Sequence, residues 1–549
     1  MKNPFYLLIL PTIVVFSLNA LSLTAESQTK GGINQETPQK KRVLSEASTY
    51  DAQKNPKLKK HNKQNSIHGP NVDKRKTIEI YVDNQSVFSC DSNFGSPESP
   101  LRSITAAVRK AAREVADGEV LIRIFPGTYR ETILVPPYRG GGRIILQGED
   151  AERCILSGGD LLPFWEAVRS TPSGQTIYSH KNILSEEEHT EIFFVGKTPQ
   201  LKTNNTELQT GEFSFQNGKI YWLPPKELDW RYAEVVAPNR PLPLEGEISA
   251  LMMIYGEDVH VKSLTLQHCA RADAVVAAIG SKNVTFENLR FFSNLAPAFL
   301  IKGNRNLPQD CRASFKNIRI YGHEQPFIQV RDSQLVMQDC VLHQQEDISI
   351  PQNQKQARTV FVHALGDGRS SIKQCLFSGT QPGVWIDFCS NDFVGILENT
   401  FLQPDGTARI VLSNQKQIDL RGNVFLSPSG FTNALTMFEL TTILDGFRAS
   451  VERNSFQTEI VFFLKKPAQT FQQTQYPSPS QKIRWNVSEN CFAPQTKPPR
   501  VYVDSALRES IWIKLQESIQ NQLQNSKQCD PQQFTNVTAS AKQKLLLPE

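Results

Sequence analysis

A short phrase returns eight times along this chain, and it restricts the fold more than any other feature. It reads Asn288-Leu-Arg-Phe291, Asn317-Ile-Arg-Ile320, Asp339-Cys-Val-Leu342, Gln374-Cys-Leu-Phe377, Glu398-Asn-Thr-Phe401, Gly422-Asn-Val-Phe425, Arg453-Asn-Ser-Phe456 and Glu489-Asn-Cys-Phe492. Each copy closes a run of alternating apolar residues, such as Val284 and Phe286 or Ala449 and Val451. One such segment cannot bury its own inward face, whereas segments piled about 4.8 Å apart build a continuous core. The repeat therefore predicts the coils of a parallel β-solenoid, an all-β fold. The terminal residues are spaced by 29, 22, 35, 24, 24, 31 and 36 residues, so loops of unequal length interrupt the coils. A helical or leucine-rich repeat would hold its period better.

Stacking turns equivalent positions into ladders. Two before the terminal apolar residue stand Leu289, Ile318, Cys340, Cys375, Asn399, Asn423, Asn454 and Asn490. The four asparagines are expected to hydrogen-bond from coil to coil at one inward turn. Cys340 and Cys375 share that ladder, and two readings stay open: an oxidised pair, or two buried thiols. The nine cysteines show neither a disulfide framework nor a CxxC metal pattern.

The chain opens with Lys2 and an apolar run from Phe5 to about Leu23. This is the plan of a signal peptide over residues 1–25, with an uncleaved anchor as the rival reading. Residues 26–76 are rich in Lys, Gln, Asn, Ser and Pro and read as a disordered basic linker. The linker carries 12 Lys or Arg against 5 Asp or Glu, a net of +7. The whole chain is +5 and the leader +1, which leaves −3 for residues 77–549. The basic character therefore belongs to the linker, and the folded part offers no charge for nucleic acid. The linker is a solvated spacer or a contact with an anionic cell surface.

After the linker, Ile78, Ile80 and Val82 alternate as a strand. Ser103 then starts an amphipathic helix with Ile104, Ala107, Val108, Ala111 and Val115 on one face, ended by Asp117-Gly118. Such a helix is expected to cap the first coil and cover its open strand edges. Three strands follow, Val120 to Phe125, Ile133 to Val135 and Ile144 to Gln147. Tyr81-Val-Asp83, Ser99-Pro-Leu-Arg-Ser-Ile-Thr-Ala-Ala107, Phe125-Pro-Gly-Thr-Tyr-Arg-Glu131 and Leu156-Ser-Gly-Gly-Asp160 resemble the opening of pectate-lyase-like right-handed parallel β-helix proteins. Trp165, Ile177-Tyr178, Phe193-Phe-Val-Gly196, Gly211-Glu-Phe-Ser-Phe215, Lys219-Ile-Tyr-Trp-Leu-Pro-Pro225 and Ala233-Glu-Val-Val-Ala-Pro238 are similar to a bacterial subgroup that includes secreted glycoside hydrolases. Cys529-Asp530-Pro531, after an amphipathic stretch from about Ser505 to Gln524, resembles that subgroup's C-terminal end.

The resemblance implies a right-handed parallel β-helix with an inserted small β-domain, an N-terminal helical cap and a C-terminal helix. The expected boundaries are 77–160 for the cap and first coils and 161–247 for the insert. The main β-helix follows at 248–495, and the C-terminal helix and tail at 496–549. These motifs describe a scaffold, on which activity varies.

Counting seven to ten residues past each terminal apolar residue gives one strand column, expected to face a groove. Its strands are Ala298 to Lys302, Phe327 to Arg331, Val360 to His363, Val384 to Phe388 and Ala408 to Leu412. With Ile301, Val330, Val362 and Ile386 inward, the outward residues are Lys302, Arg331, His363 and Asp387, beside Leu300, Gln329, Phe361 and Trp385. Trp385 and Phe361 offer flat faces for sugar rings, and Lys302 and Arg331 offer cations for a carboxylate or sulfate. Nearby acids are Asp332, Glu346, Asp347, Asp367 and Asp392, with Asp273 and His268 further off. The insertion from Gln344 to Arg358 is expected to overhang the groove.

Hydrolysis of a glycosidic bond needs two carboxyl groups, here Asp387 with Asp367, positioned by His363. Elimination from a uronate needs cations and a base, here Arg331, Lys302 and His363. The reading is an exported monomer acting on a polysaccharide, by hydrolysis ahead of elimination. The rival is a non-catalytic glycan-binding or cell-surface protein. No metal-ligand spacing, P-loop, dinucleotide fingerprint or nucleophile elbow is found, so no cofactor is expected, and a calcium site of grouped aspartates stays open.

Overall fold

The polar residue that opens each copy of the repeat sits where the backbone needs a left-handed kink. In a computed structural model of the chain, Asn288, Asn317, Asp339, Gln374, Glu398, Arg453 and Glu489 have φ between 51° and 57°, and Gly422 has φ 66°. This conformation costs an L-residue about 1 kcal/mol or more, and Asn, Asp and Gly bear it best. It recurs because a one-residue reversal lets a strand end and the next begin at a sharp angle, coil after coil.

The structure describes residues 77–545 apart from 139, 182–191, 206, 227–229, 240–247, 271, 305–310, 323–326, 345–360, 367, 380–382, 390–391, 404–405, 428–433, 466–483, 495, 497–499, 504–509 and 525. The leader and linker expected over 1–76 lie outside the described residues. Thirty-one strands join by pairing into one continuous ladder, wound as a right-handed parallel β-helix with three sheet faces. The first face includes Gln334–Gln338, Arg369–Lys373 and Phe393–Leu397. Past the left-handed kink, the second includes Val341–Gln344, Leu376–Ser378 and Thr400–Leu402. Longer loops then lead to the third, with Ile328–Arg331, Val362–Leu365 and Gly383–Cys389.

The core is a set of ladders. Stacked phenylalanines Phe377, Phe401, Phe425, Phe456 and Phe492 have ring centroids 4.7–5.2 Å apart and nearly parallel planes. The asparagine ladder lies beside them. Asn423 Oδ1 accepts from Asn399 N and from Asn399 Nδ2, both at 3.0 Å, and Asn423 Nδ2 donates to Ile396 O at 2.7 Å and to Asn454 Oδ1 at 3.0 Å. Asn454 repeats the pattern toward Asn490. Cys375 N donates to Asn399 Oδ1, so the ladder's last acceptor is used by the cysteine above it. Cys340 and Cys375 are both buried free thiols.

Both ends are capped. Helix Ile104–Glu114 is N-capped by Ser103, whose Oγ accepts from Ala106 N at 3.1 Å. Glu131 accepts from Ile104 N and Thr105 N, each at 2.9 Å, which satisfies two open donors and places a negative charge at the helix N-terminus. The helix buries Ile104, Ala107, Val108 and Ala111. At the other end, helix Ser510–Gln524 sets Ile519 and Leu523 into the core. Its glutamines hydrogen-bond the open edge of the last coil: Gln522 Oε1 accepts from Val487 N, Gln520 Oε1 accepts from Val501 N, and Gln516 Nε2 donates to Val501 O. Where a tail was expected, a second helix, Pro531–Leu545, covers Val341, Leu376, Leu402 and Leu426 on the outside of the second face. The disulfide Cys491–Cys529 fastens its root to the final coil.

Between the strands Cys154–Ser157 and Ala250–Ile254 the chain builds a separate eight-stranded sheet, from Asp160–Leu161 to Val235–Ala237. Its core is aromatic: Phe193, Phe213 and Trp222 are buried, with Trp165 and Trp230 packed around them.

Replacing Asn423 by Leu leaves Asn399 N, Ile396 O and part of Asn454 without partners at a buried turn. Unfolding by denaturant is expected to show a loss of about 2–4 kcal/mol, whereas an unchanged midpoint would show that the ladder is not needed.

Candidate functional site

Parallel pairing in register makes every outward position of the third face part of a column. One column runs Leu300, Gln329, His363, Asp387, Val411, Glu439, Phe463 and Tyr502. Beside it runs Lys302, Arg331, Leu365, Cys389 and Ser413. Arg331 is therefore stacked on Leu365, and Gln329 on His363, which corrects the single line expected from Lys302 through Asp387. The long insertion before Val362 shifts a count made from the repeat by two residues; the direction of each side chain survives because the strand period is two.

Phe361 and Trp385 are corrected as sugar platforms: they are 0% and 1% exposed. Phe361 precedes the strand Val362–Leu365 and stacks inward between Phe327 and Trp385; for Trp385 the physical reason is a bulge. Val384 pairs with Arg409 and Ile386 with Ile410, so Trp385 is an unpaired extra residue whose ring turns into the core. There it meets Phe361 edge-on at 5.2 Å, and Phe361 meets Phe327 at 5.1 Å. Asp367, Glu346, Asp347 and nearly all of the expected overhang lie outside the described residues.

Two braced carboxyl groups stand in the first column. His363 Nδ1 lies 3.0 Å from Asp387 Oδ2, both side chains about a quarter to a third exposed. A carboxylate oxygen accepts, so in this contact Nδ1 is the donor and Asp387 fixes the plane of the ring. Two coils on, Arg409 Nε and Nη2 hold Glu439 Oε1 and Oε2 at 2.7 and 2.6 Å, in a fork-to-fork pair with Glu439 almost buried. One apolar rung, Val411, separates the two acids. Phe463 and the 42%-exposed Tyr502 continue the column. Glu439 was missed because the strand count stopped at Leu412, one coil short of it, and Arg409 because the outward residues were read only as far as Asp387, although its strand, Ala408 to Leu412, had been placed.

Two of the other expected acids have structural partners. Asp392 pairs with Lys416 at 2.6 Å, and Asp273 accepts from Ser249 N and Oγ. His268 is buried, its Nδ1 3.1 Å from Ser157 Oγ and its ring against Phe194, at the root of the inserted sheet. A second acid pair lies on the first face. Asp419, whose carboxyl is pushed up by burial, meets Arg421 at 2.7 Å, and Glu452 accepts from Ser450 and Asn486. Among the described residues no cluster of three or more His, Cys, Asp or Glu could hold a metal ion, and no helix is long and apolar enough to cross a membrane.

Residues 249–425 match the family model described as "Right handed beta helix region", and the chain is a right-handed parallel β-helix protein. No curated protein matches it. Among solved structures, a complex of XylC with xylose is similar at 11% identity over 78% of this chain and 86% of that one, with a TM-score of 0.37. A structure named glycoside hydrolase is similar at 11% identity over 76% and 96%, with a TM-score of 0.36. Pectin methylesterase PemA from Erwinia chrysanthemi is similar at 11% identity over 66% and 89%, with a TM-score of 0.28.

Burial holds the His268 imidazole down to about 4. A folded value below the unfolded one, about 6.5, gives stability that is complete above pH 6.5 and is lost as pH falls toward 4. This contribution amounts to about 3 kcal/mol. Denaturant midpoints measured from pH 7 to 4 are expected to fall less steeply in His268→Asn, which keeps a residue tolerant of the local φ of 60°; identical slopes would remove His268 from the acid limb.

Proposed function

We propose that the outer side of the third face is a glycan groove and that the protein hydrolyses glycosidic bonds there, with Asp387 and Glu439 as the carboxyl pair. The observation that carries this reading is the pair's placement: two acids, each braced by its own partner, on one column with a single rung between them. Two rungs span about 9.6 Å, at the wide end of the carboxyl separation of about 6.5–9.5 Å that admits a water beside the sugar. When it holds one proton more than a neutral imidazole and a carboxylate, the His363–Asp387 pair would give that proton to the leaving oxygen, and the attacking water would pass a proton to Glu439. Glu439 keeps a free acceptor site on each oxygen while Arg409 fixes its plane, and it would orient the attacking water. Phe463 and Tyr502 take the place of Trp385 and Phe361 as apolar surfaces for sugar rings.

One observation favours elimination as the second reading: Lys302 and Arg331 are register neighbours, with no ion-pair partner among the described residues. Export fits the disulfide Cys491–Cys529, since such bonds persist in oxidising compartments.

Purified protein incubated with neutral, uronic and sulfated polysaccharides is expected to release reducing ends without unsaturated-uronate absorbance. Asp387→Asn and Glu439→Gln should each lower the rate by about 10²-fold or more. Proton NMR of the first product should show inverted anomeric configuration. Absorbance that disappears in Arg331→Ala would establish elimination instead, and binding without cleavage would establish a glycan-binding protein.

A further inference from the structure

The inserted sheet spends apolar side chains where folding gains nothing from them. Phe164 is 91% exposed and has φ 64°, a conformation that costs an L-residue about 1 kcal/mol or more. Tyr232 is 89% exposed. Both leave the same end of one strand pair: Leu161 pairs with Val236, and Leu162 N donates to Val235 O at 2.8 Å. Within two or three residues of that bond, one strand presents Phe164 and the other Tyr232. Beside them, Trp165 and Trp230 lie 5.3 and 5.4 Å from the buried Trp222, on the rim of the domain's aromatic core.

The presentation is fixed rather than loose. Trp165 Nε1 donates to Leu162 O at 2.9 Å and closes the loop that carries Phe164. Trp165 also packs on His180 at 5.2 Å, and Trp230 on Tyr178 at 4.6 Å. A polar edge follows at once, where the half-exposed Glu234 pairs with Arg130 at 2.9 Å. Flat rings held firmly beside charged hydrogen-bonding groups match a pyranose, which has an apolar face and a polar perimeter. The insert also leaves the β-helix between its second and third faces, next to the face that carries the proposed groove.

We propose that Phe164, Trp165, Trp230 and Tyr232 form a second carbohydrate-binding site, which takes pyranose faces of the polymer whose other part lies in the groove. The choice of a glycan as ligand rests on the function proposed above. The strain at Phe164, borne by an exposed aromatic residue, is then retained for binding.

The test is electrophoresis of the full chain through gels containing xylan, galactan or polygalacturonate. The wild type should be retarded by at least one of them, and Phe164→Ala with Tyr232→Ala should weaken that retardation about tenfold. Phe164→Gly separates a binding role from a structural one: it relieves the backbone and should hold or raise the melting temperature while retardation falls. Asp387→Asn should keep the retardation, so binding that needs the rim without any hydrolysis would defeat the groove's proposed chemistry and leave this site standing. Three results would overturn the site: no retardation of the wild type in any gel, equal retardation of the double variant, or an effect on oligomeric state alone in light scattering.

Discussion

Everything in this molecule depends on the parallel hydrogen-bonded register from coil to coil. Once Val362 pairs with Ile386 and Ile386 with Ile410, every side chain on those strands has a neighbour about 4.8 Å above and below. The constraint converts sequence similarity between coils into physical ladders. Inside, it gives the stacked phenylalanines and the asparagine ladder, where each amide closes the polar groups of the coil before it. Outside, it turns equivalent positions into columns, so Asp387 and Glu439 share one line although 52 residues part them in the chain.

The same register explains how much was legible in the sequence. The asparagines at 399, 423, 454 and 490 announced an inward turn, because four identical amides at equivalent places satisfy one another only if they stack. The outward direction of His363 and Asp387 was legible too, since it needs only the period of two. What could not be read was the pairing between strands separated by unequal loops. The count that set Arg331 beside His363 failed by one pair of residues, for nothing local marks where a strand begins after the stretch from Gln344 to Phe361. Trp385 misled for another reason: a bulge is an event between two strands and leaves no mark on either alone. Glu439 was visible in principle and lay one coil beyond where the reading stopped.

The two acid pairs on the outer surface differ in what braces them. On the third face, Asp387 and Glu439 have separate partners and an apolar rung between them, which leaves room for a substrate bond. On the first face, Arg421 lies beside both Asp419 and Glu452, at 2.7 and 3.9 Å, and ties them into one cluster. A shared arginine neutralises two charges at once and suits a surface that is to be stable. Separate braces hold two groups apart in fixed orientations, which suits chemistry on a bond placed between them. The aromatic surfaces follow the same division, for Phe463 and Tyr502 extend the column that holds Asp387 and Glu439.

The most direct measurement is a crystal structure of the Asp387→Asn protein with an oligosaccharide from the polymer it retains. The account predicts a chain of sugar rings along the third face, crossing Val411 between residues 387 and 439, with a ring against Phe463 or Tyr502. An oligosaccharide lying over Asp419 and Glu452 on the first face, or none on the third face, would contradict it.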